Sequence, residues 1–134
     1  MTSPDISLFE DLVGVPFVVG GRSVVTGLDC YGVMLEVHRR LQYSPATPDV
    51  WGELPDMGGV MDRYHEWFRE LGGSEALRAG DVLFGPGEAP HIAHVAVAID
   101  GFRGMTTAAR TGCIIVPLTR ARRGQVRAYR RVDA

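Results

Sequence analysis

Apolar side chains recur at helical spacing in two stretches in the first half of the chain, about residues 30–42 and 58–71. Asp29 stands before the first stretch as a candidate N-cap, and Gly72 and Gly73 follow the second as a stop signal. The predicted buried faces comprise Cys30, Met34, Val37 and Leu41 in the first helix, and Val60, Tyr64, Trp67 and Leu71 in the second.

From Asp81 onward the apolar period changes to two, which predicts consecutive strands separated by glycine and proline. The predicted strands cover residues 81–85, 91–100, about 103–108, 112–118 and 124–131. Helices followed by short strands indicate an α+β fold, in which N-terminal helices pack on a C-terminal antiparallel sheet of about five strands. The proline-rich segment 43–59 is predicted to be a surface connection within a single domain over residues 1–134.

Composition fits one ordinary globular domain. The chain has 134 residues, of which 46% are hydrophobic and 22% charged, enough to bury a core. Two cysteines allow one bridge at most, which excludes a disulfide scaffold.

Charge is unevenly distributed along the chain, and every positive residue is arginine. Residues 1–101 carry 15 acids and six arginines, whereas residues 102–134 carry eight arginines and one acid. The basic C-terminal region, residues 119–134, is predicted to end in a strand. Its charge is explained either by internal pairing with the acidic part or by docking on an acidic partner. Nucleic acid is a poor candidate partner, because no aromatic-studded basic face accompanies the arginines.

The first residues do not resemble an export signal. Residues 1–12 contain acids where a signal peptide has its positive region, and no apolar run approaches the roughly 18–20 residues that span a bilayer. We therefore expect synthesis in a reducing cytoplasm and no membrane insertion.

Cys30 is the leading candidate for a functional residue because it falls at the first turn of the predicted helix. Unpaired amides and partial positive charge at a helix N-terminus favour the thiolate form of a cysteine. The alternative is a buried structural cysteine, since cysteine is among the most buried residue types. Cys113 lies in an apolar strand and is interpreted as a core residue.

His94 is the candidate partner of Cys30. In a strand it shares a face with Ala96 and Ala98, and a helix packed on that small-residue face would bring Cys30 and His94 together for thiolate–imidazole chemistry. His91 falls on the opposite face, which argues against a shared metal site, and no metal or cofactor is expected. The other two histidines, His38 and His65, are predicted to lie solvated on the two helices.

Four motifs, in order, resemble those of the NlpC-like cysteine peptidases, which are papain-like enzymes that cut peptide bonds in bacterial peptidoglycan. The resemblance covers about residues 14–118. Its motifs are Phe17-Val-Val-Gly20-Gly21, Gly27-Leu-Asp29-Cys30-Tyr-Gly32, Gly80-Asp81-Val-Leu-Phe and His94-Val-Ala-Val-Ala-Ile. Tyr31 after the cysteine and the ending Gly124-Gln-Val-Arg-Ala-Tyr129-Arg130 are most similar to the peptidase domain of phage tail-tip and tail-assembly proteins.

The resemblance implies that Cys30 is the nucleophile and His94 the general base. The family's third polar residue aligns with Thr107, or with its neighbour Thr106, and Thr107 would orient the imidazole less firmly than a histidine, asparagine or glutamine. Phe17 stands where many members have a tyrosine that lines the cleft. Residues expected to bind substrate or shape the cleft are Phe17, Gly20, Gly21, Asp29 and Tyr31.

The resulting hypothesis is a cysteine endopeptidase acting on peptidoglycan peptide stems, carried by a phage tail or a tail-like particle to the host cell wall. The first alternative is a catalytically weak or inactive tail-tip structural protein of the same fold. The second alternative keeps the fold but changes the reaction to amidase or acyl-transfer chemistry on a small amide.

Overall fold

A computed structural model describes residues 5–49, 65–86 and 93–132, with the backbone alone at Pro86, Ala93 and His94. Most of the regular secondary structure in these residues is β-sheet. Eight strands are present in this part of the chain: β1 Arg22–Ser23, β2 Gly27–Leu28, β3 Phe68–Glu70, β4 Val82–Pro86, β5 Ala93–Ala98, β6 Arg103–Ala108, β7 Gly112–Pro117 and β8 Arg127–Arg131.

Strands β3 to β8 form one six-stranded antiparallel sheet in the order β3-β8-β4-β5-β6-β7, while β1 and β2 form a separate two-stranded sheet. The described residues also contain one longer helix, α1, over Cys30–Arg40, and a single helical turn, α2, over Arg120–Arg123. Two 3₁₀ turns, Ile6–Leu8 and Glu10–Leu12, precede β1. The five strands predicted after Asp81 correspond to β4 through β8.

The predicted fold class is wrong in its balance of helix and sheet. In place of several helices on five strands, the described residues form a six-stranded and a two-stranded sheet with one substantial helix. The first half of the predicted second helix, residues 58–64, lies outside the described residues. The second half contains a strand, because Phe68–Glu70 pairs with β8. Trp67 and Leu71, predicted to share one helix face, pack in different clusters.

The helix α1 packs on the larger-residue face of β5. Val95 and Val97 share the main core with Met34 and Val37 of α1, whereas Ala96 packs with a smaller cluster on the other face. The expectation that α1 lies on the alanine face is therefore wrong. The bulkier branched side chains bury more apolar area against the helix, and that burial outweighs the closer approach that alanine permits.

Strand β8 lies inside the sheet, between β3 and β4, so its arginines need internal partners. Arg130 is buried and pairs with Asp81 through two bonds of 2.8 and 2.9 Å, while Arg127 pairs at the surface with Glu70. Arg131 is also buried, and it donates to Thr47 and to the backbone. Internal pairing accounts for this part of the basic region.

His38 is not solvated, contrary to the sequence-based expectation. It is 2% exposed, and its ring nitrogens lie 2.7 Å from the Thr47 hydroxyl and 2.7 Å from the carbonyl oxygen of Gly80. His38 therefore connects α1 to two distant loops. His65 is exposed but lies in a turn rather than a helix.

Replacing His38 with leucine is expected to lower the free energy of unfolding by about 1–3 kcal/mol, because the buried Gly80 carbonyl would lose its partner. Urea denaturation measures the change. The exposed His65→Leu substitution is the matched control, with an expected change within about 0.5 kcal/mol. Equal stability of the two variants would contradict the structural role of His38.

The two arginine–carboxylate pairs of β8 differ in burial, and we expect them to differ in strength. Arg130→Met leaves the Asp81 carboxylate buried without its guanidinium and should destabilise the fold by about 3–5 kcal/mol. Arg127→Met removes a half-exposed pair with Glu70 and should cost about 1 kcal/mol or less. Chemical denaturation of both variants tests this order, and the reverse order would refute it.

Candidate functional site

Cys30 is the first residue of α1, as the sequence predicts, and Asp29 is its N-cap. The Asp29 carboxylate accepts a hydrogen bond of 2.7 Å from the backbone N–H of Gly32. This satisfies one of the unpaired amides at the start of the helix, and it sets the direction in which the helix leaves β2.

The same carboxylate gathers the glycine-rich segment around the helix start. Asp29 is buried, accepts 3.1 Å from the N–H of Gly20, and forms an ion pair of 2.7 Å with Arg22. Gly20 has a φ of +73°, which favours glycine. A side chain at Gly21 would collide with the Gly27 carbonyl. The two glycines therefore position Asp29, in addition to any part they have in a cleft.

Cys30 packs against β5, in the same core cluster as Val95. The side chain is buried, with 9% of the residue exposed, and the backbone amide of Val95 is close enough to lower the pKa of the thiol. Val95 directly follows His94 in the strand, so the thiol lies against the backbone next to the predicted base. Cys30 therefore contacts β5 at Val95 and not on the face that carries Ala96.

Burial raises the pKa of the Cys30 thiol, and the Asp29 charge raises it further, although the amides of Val95, Tyr31 and Cys30 act in the opposite direction. The amides at the helix N-terminus do favour the thiolate, as expected, but their effect is smaller than that of burial, and the pKa of Cys30 is raised overall. Desolvation of a charge in a closed site outweighs the helix amides.

Thr106 and Thr107 have different surroundings, although the sequence offers both as the third polar residue. The Thr106 hydroxyl donates 2.7 Å to the carbonyl of Val95, and is thereby occupied. The Thr107 hydroxyl is buried and has no hydrogen-bond partner among the described residues. Of the two hydroxyls, that of Thr107 is thus the one available to accept a further hydrogen bond. His94 lies in β5, where its backbone pairs with Gly85 of β4.

Tyr31 is the second residue of α1, and Phe17 pairs with the strand that leads into it. The Tyr31 ring is buried, and its hydroxyl donates 2.8 Å to the carbonyl of Pro48, which attaches the 43–49 segment to α1. Phe17 is half-buried and forms a parallel bridge with Leu28. Tyr31 is therefore a buried structural support, whereas Phe17 keeps some exposed surface.

Cys113 is a core residue, as predicted. It is fully buried in β7, and burial raises the pKa of its thiol to about 12. It is therefore unreactive at neutral pH. Both cysteines are free thiols in this structure. His91 lies outside the described residues.

The sequence analysis missed two groups that shape the site. Arg22 neutralises Asp29 and lies 5.6 Å from the centre of the Tyr31 ring, but an isolated arginine in a loop carries no distinguishing signal. The second group is the backbone of Val95, which a search for reactive side chains in the sequence does not detect. Only the pairing of strands exposes them.

No group of three or more His, Cys, Asp or Glu side chains is arranged to hold a metal ion within residues 5–49, 65–86 and 93–132. Over the same ranges, no helix is both long enough and apolar enough to cross a membrane. A scan of protein-family models finds none that matches this chain, and a search of curated proteins finds no match either.

Asp29→Asn is expected to lower the pKa of the Cys30 thiol, because it removes a negative charge that raises it and keeps an oxygen for the N-cap. The rate of iodoacetamide alkylation against pH should shift to lower pH. Cys113 should not be alkylated, because it is buried and its pKa is raised.

Asp49→Asn is the matched control for Asp29→Asn, since Asp49 also pairs with Arg22 but does not act on Cys30. An alkylation profile that is unchanged in Asp29→Asn, or shifted equally in both variants, would contradict the electrostatic account of the Cys30 pKa.

Proposed function

We propose that the protein is a cysteine peptidase with Cys30 as its nucleophile and His94 as its general base, and that it hydrolyses amide bonds in bacterial peptidoglycan. One observation carries the proposal: Cys30 is the first residue of α1, and it packs in the same buried cluster as Val95, which directly follows His94 in β5. The sequence motifs around Cys30 and His94 support the substrate class.

The reaction begins with a protonated thiol, since burial raises the pKa of Cys30. His94 takes the proton as the sulfur attacks the amide carbonyl, and a tetrahedral intermediate forms. Backbone N–H groups at the start of α1 stabilise its oxyanion. His94 then protonates the leaving amine, and water releases the acyl group from Cys30.

Thr107 is assigned as a positioning residue that accepts a hydrogen bond from the far nitrogen of the imidazole. Its buried hydroxyl without a partner in the described residues supports this role, because such a group carries an unrecovered desolvation cost. A neutral hydroxyl stabilises an imidazolium less than a carboxylate does, so we expect modest activity.

Delivery by a phage tail tip or tail-like particle is the biological setting that we propose. It is supported by Tyr31 after the nucleophile and by the ending over residues 124–130, which are similar to tail-tip peptidase domains. Peptidoglycan stems and tail proteins would be the partners, and the host cell wall would be the place of action.

The peptidase is tested by the release of new amino groups from purified peptidoglycan. Wild type should release them, and Cys30→Ala should lower release at least a hundredfold, whereas the core control Cys113→Ala should keep its rate per folded molecule. Thr107→Val should lower kcat and shift the acidic limb of the pH–rate profile, because it removes the acceptor without changing shape.

Equal release by wild type and Cys30→Ala would overturn the peptidase. It would favour the second candidate, a catalytically inactive tail-tip structural protein. Two observations support that candidate: the raised pKa of Cys30, and the arginines of α2, which form no ion pair with any described residue.

A further inference from the structure

The sheet face opposite α1 carries an open cleft of about 330 Å³. Its floor is formed by side chains of the sheet, including Leu83 of β4 and Val116 of β7. Leu118 and Val126, on either side of α2, form a wall of the cleft. Because these side chains are apolar, the cleft favours a ligand with apolar groups.

Two arginines line the same cleft, and none of the described residues that line it is acidic. Within the described residues, Arg122 and Arg123 donate only to backbone carbonyls, including a bond of 2.8 Å from Arg123 to Gly72. The buried Nε of Arg123 has no acceptor within the part of the chain that the structure describes. On β8, by contrast, Arg127 and Arg130 both have carboxylate partners.

We propose that this cleft binds an acidic peptide segment of a partner protein, with apolar side chains inserted between the sheet and α2. Guanidinium groups match carboxylates through paired hydrogen bonds, and arginine is enriched at protein interfaces. Arg120 is exposed on the same helical turn but does not line the cleft. The positive surface thus extends beyond the cleft, which suits a peptide better than a compact small molecule.

The cleft is separate from Cys30, which lies among the side chains of the other sheet face. Peptide binding therefore does not require Cys30, the nucleophile of the proposed peptidase. Either proposal stands if the other fails.

Fluorescence anisotropy tests the cleft with the full chain and a short fluorescein-labelled peptide of alternating leucine and glutamate. We expect saturable binding that weakens as NaCl screens the arginines. A leucine–lysine peptide of the same length should not bind. Equal binding of the two peptides would overturn the proposal.

Arg122→Glu should weaken binding of the acidic peptide at least tenfold, and Val126→Ser at least threefold. Arg110→Glu is the matched control, because Arg110 is an exposed arginine on the β6–β7 turn outside the cleft, and it should change Kd less than twofold. Thermal unfolding verifies that each variant is folded. Unchanged binding in Arg122→Glu, or an equal loss in Arg110→Glu, would refute the assignment.

Three further measurements distinguish the acidic peptide from other possible ligands of the cleft and from binding at the Cys30 site. Cys30→Ala should bind the peptide like wild type, and a loss there would place the peptide at the Cys30 site instead. If dodecanoate displaces the peptide and binds as tightly as the peptide does, the ligand of the cleft is a single-chain amphiphile. A dimer that Arg122→Glu dissociates would identify a second copy. Each of these results would overturn the proposal.

Discussion

The position of Cys30 depends on one buried carboxylate. Asp29 accepts from the N–H of Gly32 in the helix and from the N–H of Gly20 in the preceding loop, and it pairs with Arg22. A buried carboxylate is stable only when donors surround it, so the helix start, the glycine-rich segment and β1 have to assemble together. The geometry of the candidate site is a consequence of that assembly.

Asp29 also opposes the chemistry that it positions. Its charge raises the pKa of the neighbouring thiol, and burial raises it more. Placement and activation of Cys30 are therefore in conflict, because the group that fixes the sulfur disfavours its ionised form. A base that removes the proton during attack resolves the conflict, which is the role that we assign to His94.

Strand β8 shows how the sheet accommodates a basic segment in its interior. Arg130 is buried against the Asp81 carboxylate, while Arg131 is buried among Thr47, the Pro45 carbonyl and the rings of Tyr43 and Trp67. Buried guanidinium groups need such acceptors and ring faces. The arginines of α2 make no such ion pair within the described ranges. Function in the basic region is therefore to be sought at α2 rather than along β8.

Local features were predictable from the sequence. The start of α1 at Cys30, the cap at Asp29, the five strands after Asp81 and the burial of Cys113 all follow from signals within a few residues, such as capping and alternation. The candidate pairing of Cys30 with the region of His94 came from motif resemblance, and the route that periodicity suggested, through Ala96, was wrong.

The tertiary structure decided what depends on partners distant in the chain. Phe68 lies in a strand because β8 pairs with it, although its neighbourhood has a helical period. His38 is buried because Thr47 and Gly80 enclose it. The balance that raises the pKa of Cys30 likewise depends on how deeply the thiol is buried, which no local pattern encodes. Sequence periodicity reports a preference for a conformation, whereas pairing, burial and desolvation arise only when distant segments meet.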